Sequence, residues 1–324
     1  MASMKKNLKK TGFAVLGFIV FFALITIAIN LWIDVKLPHL LSDKNDSPYH
    51  IQYKELEISL FSKNIVATGI TVVPKERKKD SLRKNGIFCS VERITIDDFS
   101  LLSLLFSNKI EANTITIFGP KVTLFKDNDK TINSTKSIGS KVVKPFQQVI
   151  KVNDINLEQG RLLIINLENN KTLFSAQNVT IQLDDIVISD ETLEQKIPFT
   201  YKKYAFICDS LVYQTDDLYQ IKSNRINTTN VGLEVNNFSM VPLFNRRQFV
   251  NQSAKEKDLY TLKAAKIAIQ DMDWGFNKEV LFFKTNQILI EQVDANIYRS
   301  KIPEDDLSIK PLYSKLLREL PFTL

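Results

Sequence analysis

The sequence predicts a mainly β protein in which one N-terminal transmembrane helix is followed by an antiparallel β body. Three observations carry this: an uncharged segment of 23 residues, period-2 apolar alternation through most of the remaining chain, and a composition poor in glycine.

The uncharged segment is Thr11 to Ile33, TGFAVLGFIVFFALITIAINLWI. As a helix it is about 34 Å long, which matches the hydrocarbon core of a bilayer. It exceeds the apolar core of a cleavable signal, and Ala28-Ile29-Asn30 is a poor cleavage site. Trp32 falls where an interfacial aromatic is expected. Lys5, Lys6, Lys9 and Lys10 precede the segment, and only Asp34 and Lys36 follow it closely. The positive-inside rule therefore places residues 1–10 in the cytoplasm and the body on the far side of the membrane.

The body is large enough to bury a core, at 44% hydrophobic and 24% charged in a chain of 324 residues. Of the net charge of +7, the four N-terminal lysines hold all but +3, so the body lacks the basic balance of a nucleic-acid binder. Glycine is scarce at 9 while phenylalanine reaches 21, a blend suited to long strands and not to Gly-rich nucleotide loops. Cys89 and Cys208 belong to no CxxC, which leaves two free thiols or one disulfide.

Beyond a connector at 34–52, alternating stripes follow one another. Leu56, Ile58 and Leu60 share one face of a strand; Ile70 and Val72, Ile94 and Ile96, Ile115 and Ile117, and Val122 and Leu124 repeat the pattern. It continues in Leu162 and Ile164, in Val179, Ile181 and Leu183, in Leu233 and Val235, and in Ile267 and Ile269. Ile288 and Ile290, then Val293, Ala295 and Ile297, close the series. Helical spacing is confined to Leu101–Phe106 and Pro311–Leu320. One apolar and one polar face per strand fits an antiparallel sheet wetted on one side, and equally one layer of a closed sandwich.

The polar stretch 127–146 divides the body into a first β module at 53–126 and a larger second one at 147–300. Residues 301–324 read as a short helix and the start of a further strand. An internal echo links the modules. RITIDDFSLLSLLF, from Arg93, resembles GLEVNNFSMVPLF, from Gly232, each an alternating strand, Phe-Ser and an apolar helical turn.

Four features in order resemble the N-terminal region of AsmA-like proteins, in the wider group of repeating β-groove, bridge-like lipid-transfer proteins that includes TamB. They are the anchor; a hairpin, YKELEISLFSKNIVATGITVVP, from Tyr53; the unit VERITIDDFSLLSLL, from Val91; and IEANTITIFGPKVTLF, from Ile110, with strand, Gly-Pro and strand. The resemblance implies a long, bent antiparallel sheet, an open β-groove whose apolar concave face holds lipid acyl chains, projecting from the inner membrane into the periplasm. It also implies no catalytic residues. Such proteins are commonly much longer, and the ending at Pro321, Phe322 and Leu324 predicts that the native chain, or a partner, continues the groove.

Catalytic and metal chemistry finds little support. His39 and His50 are the only histidines, and no phosphate-loop, dinucleotide, nucleophile-elbow or HExxH motif is present. Asp184-Asp185 and Pro303 to Asp306 read as turn and surface charge. The expectation is a protein that is not an enzyme, with no cofactor and no metal.

The expected function is lipid binding or conduction in envelope or outer-membrane maintenance. The alternative is a non-catalytic anchored scaffold that recruits an envelope or secretion protein partner. Candidate groove residues are Ile94, Ile96, Ile115, Ile117, Leu162, Ile164, Ile181, Leu183, Leu233, Val235, Ile267 and Ile269. A basic run, with Lys75, Arg77, Lys78, Lys79, Arg83 and Lys84, is the candidate contact for anionic lipid headgroups.

Overall fold

The computed structural model describes residues 49–59, 61–74, 86–100, 103, 110–126, 150–193, 199–215, 217–277, 280–307 and 322–323. The predicted anchor at 11–33, the basic run at 75–84, the polar loop at 127–146 and the predicted helix at 311–320 lie outside the described residues. Among the described residues, no helix is long and apolar enough to cross a membrane.

Strands dominate. In chain order they are β1 (Tyr49–Gln52), β2 (Glu55–Ser59), β3 (Asn64–Pro74), β4 (Gly86–Asp97), β5 (Ile110–Phe118), β6 (Lys121–Lys126), β7 (Ile150–Asn166) and β8 (Thr172–Asp184). After helix α1 (Asp190–Leu193) come β9 (Lys203–Cys208), β10 (Ser210–Gln214), β11 (Tyr219–Ser223), β12 (Ile226–Thr229) and β13 (Gly232–Pro242). Helix α2 (Arg246–Gln252) precedes β14 (Asp258–Gln270), β15 (Asp273–Asn277), β16 (Val280–Lys284), β17 (Gln287–Glu291), β18 (Asp294–Arg299) and β19 (Phe322–Thr323).

Sixteen strands form one sheet; β15, β16 and β19 form a second, small one. Five pairs are collinear. β1 and β2 lie end to end against β3, β5 and β6 against β4, and β9 and β10 against β8. In the same way β11 and β12 lie against β13, and β17 and β18 against β14. The sixteen strands thus follow eleven lines, which succeed one another across the sheet in chain order. Short connections make this economical, because a strand joined by a tight turn finds its partner next door.

The sheet is mixed, which corrects the expectation of an antiparallel one. β5 and β6 run parallel to β7, with Ile115 opposite Ile155 and Leu124 opposite Ile164. A parallel neighbour requires a long return connection, and the polar stretch between β6 and β7 has that length. The segments expected as two modules share this one sheet across the parallel junction.

A kink line crosses the sheet at the middle of every line. On it lie Gly69, Gly119, Gln159, Asn178, Asn237 and Gln292, all with positive φ between 50° and 63°. Intervening lines contribute Lys54, Glu92, Asp209, Arg225 and Ala265, where the strands break or the ladder skips. Register is kept through the line. The Gly119 N–H donates to the Glu158 carbonyl (2.9 Å), that of Arg161 to Pro120 (2.7 Å) and that of Asn236 to Arg225 (2.8 Å).

A residue in the left-handed region interrupts the two-residue alternation, so apolar side chains change from odd to even numbers at the line. In β3 the pattern passes from Ile65 and Ala67 to Ile70 and Val72; in β8 it passes from Val179 and Ile181 to Ala176 and Phe174. Two glycines serve the line for a local reason. A Cβ on Gly69 would come within 2.6 Å of the Lys54 side chain, and one on Gly119 within 2.7 Å of Glu92.

The echo between the modules holds in its first half only. Asp98 and Asn237 share positive φ, at 53° and 50°, immediately before Phe99 and Phe238. After Phe238 the chain stays in β13 through Pro242, and α2 starts later, at a capping box in which Asn245 and Gln248 bond each other's backbone N–H. The expected helical turn directly after Phe238-Ser239 is therefore a strand, because both edges of that segment find partners in β11 and β14.

Candidate functional site

Residues directly opposite one another on neighbouring strands point to the same face, so the register identifies what each face carries. On one side of the kink line a single row starts at Leu56, Ala67, Ile94 and Ile117 and continues through Leu157 and Ile181. It then runs through Phe206, Thr228, Leu233 and Ile269 to Ile288. Every line of the sheet contributes one residue, and Thr228 is the only polar one. A parallel row holds Ile58, Ile65, Ile96, Ile115, Ile155, Leu183 and Tyr204.

Beyond the kink line the pattern resumes. Ile87, Leu124, Ile164, Phe174 and Tyr213 are laterally paired, followed by Ile221, Met240, Leu262 and Ala295. The two sides share a face. Around Ala176, Val179 and Cys208 are packed Leu157, Ile181, Phe206 and Ile226 from one side and Leu162, Phe174 and Leu211 from the other. The opposite face is mixed: rows such as Thr95, Thr116, Asn156 and Gln182, or Ser90, Lys121, Arg161 and Gln177, are polar, while Phe88, Leu163 and Val212 share another row and Phe88 meets Phe125 edge-on at 5.6 Å. Ion pairs decorate it, including Lys121 with Glu92 at 3.0 Å and Lys266 with Glu234 at 2.8 Å.

All twelve candidate groove residues fall on the apolar face. Ile94, Ile117, Ile181, Leu233 and Ile269 belong to the first row; Ile96, Ile115 and Leu183 to the second; Val235 and Ile267 are opposite each other between that row and the kink. Leu162 and Ile164 lie beyond the kink. Ile96 and Ile115 are buried and the other ten half-buried. Sequence reasoning missed Leu157, Phe174, Phe206 and Leu211 on the same face, and the small residues Ala176 and Cys208 at its centre. Their signal was available: each lies on an alternating run whose phase jumps by one residue, within β7 and β8 or between β9 and β10.

Burial has more than one centre: Ala176, Val179 and Cys208 lie at the kink, while Ile65, Ile96, Phe99 and Ile115 are buried away from it. Among the described residues Cys208 is the one side chain less than 2% exposed, and the buried core has no second layer from outside the sheet's own face in the cluster around it. Cys208 directs its thiol to the carbonyls of Ser210 (3.1 Å) and Gln177 (3.5 Å). Cys89 is a second free thiol, pushed up in pKa by burial. Four sheet neighbours apart, at about 4.8 Å per step, the two cannot form a disulfide.

One end of the apolar face carries an aromatic group. Trp274 of β15 donates its Nε1–H to the Tyr204 hydroxyl (2.9 Å), and their rings meet edge-on at 6.1 Å. Tyr201 packs edge-on against Tyr204 at 5.5 Å, and burial, then Tyr204, raises its pKa. The β15–β16 hairpin is thereby fixed over the short β12–β13 turn, where the Met272 N–H bonds Val231.

The remaining candidates do not converge on a reactive site. The headgroup residues Lys75, Arg77, Lys78, Lys79, Arg83 and Lys84 lie outside the described residues. His50 is exposed in β1 opposite Val73. Asp185 faces Lys202 at 3.4 Å, as surface charge does, and among the described residues no three metal-ligating side chains gather. No protein-family model matches the chain, and no curated protein sequence matches it.

Proposed function

We propose that this chain is an AsmA-like protein of the inner membrane, anchored by residues 11–33 with its body in the periplasm, which binds or conducts lipid acyl chains along its apolar face. The observation that carries the reading is the row from Leu56 to Ile288, apolar at every position except Thr228, which crosses every line of the sheet. A closed core needs apolar residues from two layers. Here the cluster around Cys208 is built from neighbouring strands of one face, and ten of the twelve candidate groove residues keep partial exposure.

Kinking along one line turns such a sheet into a trough, with small side chains, Ala176, Cys208, Ser223 and Ala264, where its walls approach. Acyl chains in the trough would exchange water for apolar contact at about 25 cal/mol per Å². Rows running across the strands offer the same environment at each step, which suits movement along the trough better than capture at one point. Envelope maintenance follows as the role for a chain tethered by one helix.

The test is lipid co-purification. The intact chain, extracted and analysed by mass spectrometry, is expected to carry phospholipid; Ile117→Asp is expected to lose it while keeping its circular dichroism. A well-folded Ile117→Asp variant with unchanged bound lipid, or a wild type free of lipid, would refute the reading.

A further inference from the structure

The two edges of the large sheet are unlike. At the first, Ile51, Leu56 and Ile58 of β1 and β2 are half-buried. At the last, formed by β17 and β18, the apolar-face residues Ile288, Ile290, Val293 and Ile297 are 54%, 50%, 59% and 63% exposed, and Leu289 beside them is 43% exposed. Both strands pair on one side with β14, and no other described strand pairs with them. An edge with open backbone groups and apolar side chains is a template for another strand, and natural edges are usually blunted by charge, proline or a cover.

Here Glu291 and Asp294 flank the kink, and Arg299, at the far end of β18, is paired with Asp258.

Any strand that covers this edge along its whole length must meet two conditions. It must kink at Gln292, where φ is 51°, and its apolar phase must jump by one residue there. β17 and β18 meet both conditions themselves. We infer that this edge is a dimer interface, on which a second copy of the chain pairs its own β17 and β18 antiparallel about a two-fold axis through the kink.

The register follows from keeping both faces intact. Ile288 then lies opposite Ile297 of the second copy, Ile290 opposite Ala295, and Leu289 opposite Asn296, so the apolar face continues unbroken across the axis. Glu291 lies opposite Asp294, and each acid already has a lysine on its other side, since Lys266 pairs in register with Glu291 and Lys263 with Asp294. The row across the interface reads lysine, acid, acid, lysine. A two-fold arrangement also closes, whereas joining this edge to β1 and β2 of another copy would propagate without end. It buries the more exposed edge twice and leaves the half-buried one free.

The test uses the full chain in detergent. Sedimentation is expected to show a concentration-dependent dimer, and Ile288→Lys with Ile290→Lys is expected to weaken it at least tenfold while leaving in place the melting transition measured at concentrations where the chain is monomeric. A mixture of Leu289→Cys and Asn296→Cys copies, treated with a short bis-maleimide, is expected to link between chains. This second measurement needs no disruptive substitution, so it decides the matter if the lysine variant misfolds. A monomer at all concentrations, a dimer indifferent to the lysines, or linkage of Leu289→Cys to Glu57→Cys would each overturn the two-fold interface. None of these outcomes depends on bound lipid, so the proposed function is tested separately.

Discussion

The kink line and the walls on either side of it carry the same kinds of residue and differ in how much water they exclude. At the line Ala176, Val179 and Cys208 are 3%, 7% and 0% exposed, while in the walls Ile117, Ile164, Ile181 and Leu233 are half-buried. The difference shows one place where this sheet makes its core; Ile65, Ile96 and Ile115 form another, within a wall. A flat single sheet buries little; here residues from both sides of the line pack against Ala176, Val179 and Cys208.

The comparison is broken most strongly by placing the same charge in each region. Val179→Asp, at the line, is expected to cost at least about 3 kcal/mol, because a buried carboxylate there has no partner, and urea unfolding would read the loss. Ile117→Asp, in the wall, is expected to cost about 1 kcal/mol, the transfer energy of a half-buried side chain. Equal costs at both sites would mean that the wall is covered.

Next in size are the backbone requirements of the line. Gly119→Ala introduces a Cβ at φ 63° and pushes it against Glu92, so a loss of about 1–2 kcal/mol is expected. Combining it with Glu92→Ala should recover the steric part alone. Gln159→Gly, at φ 55°, is expected to have the opposite sign, a gain of about 0.5 kcal/mol. Thermal melts of the three variants would separate conformational strain from crowding.

The smallest effect concerns the polar face. The Lys266 ammonium bonded to Glu234, and then the Asn236 amide, hold the Glu234 carboxyl below the usual carboxylate range. A depressed pKa contributes stability that is present above the ordinary carboxylate value and is lost as pH falls through the folded one. Glu234→Gln is therefore expected to lower stability slightly at neutral pH and to leave it unchanged at acid pH, which flattens the acid limb of a melting-temperature profile. The apolar rows carry no such group, so the contrast between faces should extend to pH.

Much of this was legible in the chain. Ile94 with Ile96, Ile115 with Ile117, and Leu233 with Val235 announced strands and chose the correct face, because a two-residue period is a direct image of the pleat. The parallel junction at β7 was not legible, since alternation reports which residues share a face and says nothing of strand direction. The kink was written in Gly69, Gly119 and the phase change between Val179 and Ala176, yet each strand alone reads as two short runs. Only lateral register, which no single strand encodes, turns eleven such changes into a line. The exposure of Ile288, Ile290 and Val293 was equally hidden, because their pattern matches that of buried neighbours.

The central claim is that the apolar face is open to acyl chains. Placing a photoreactive phenylalanine analogue at Ile117 or Ile181, and on the opposite face at Thr116 or Gln182, and irradiating cells tests it directly. Lipid adducts are expected from Ile117 and Ile181 and not from Thr116 or Gln182. Adducts from neither face, or equally from both, would contradict it.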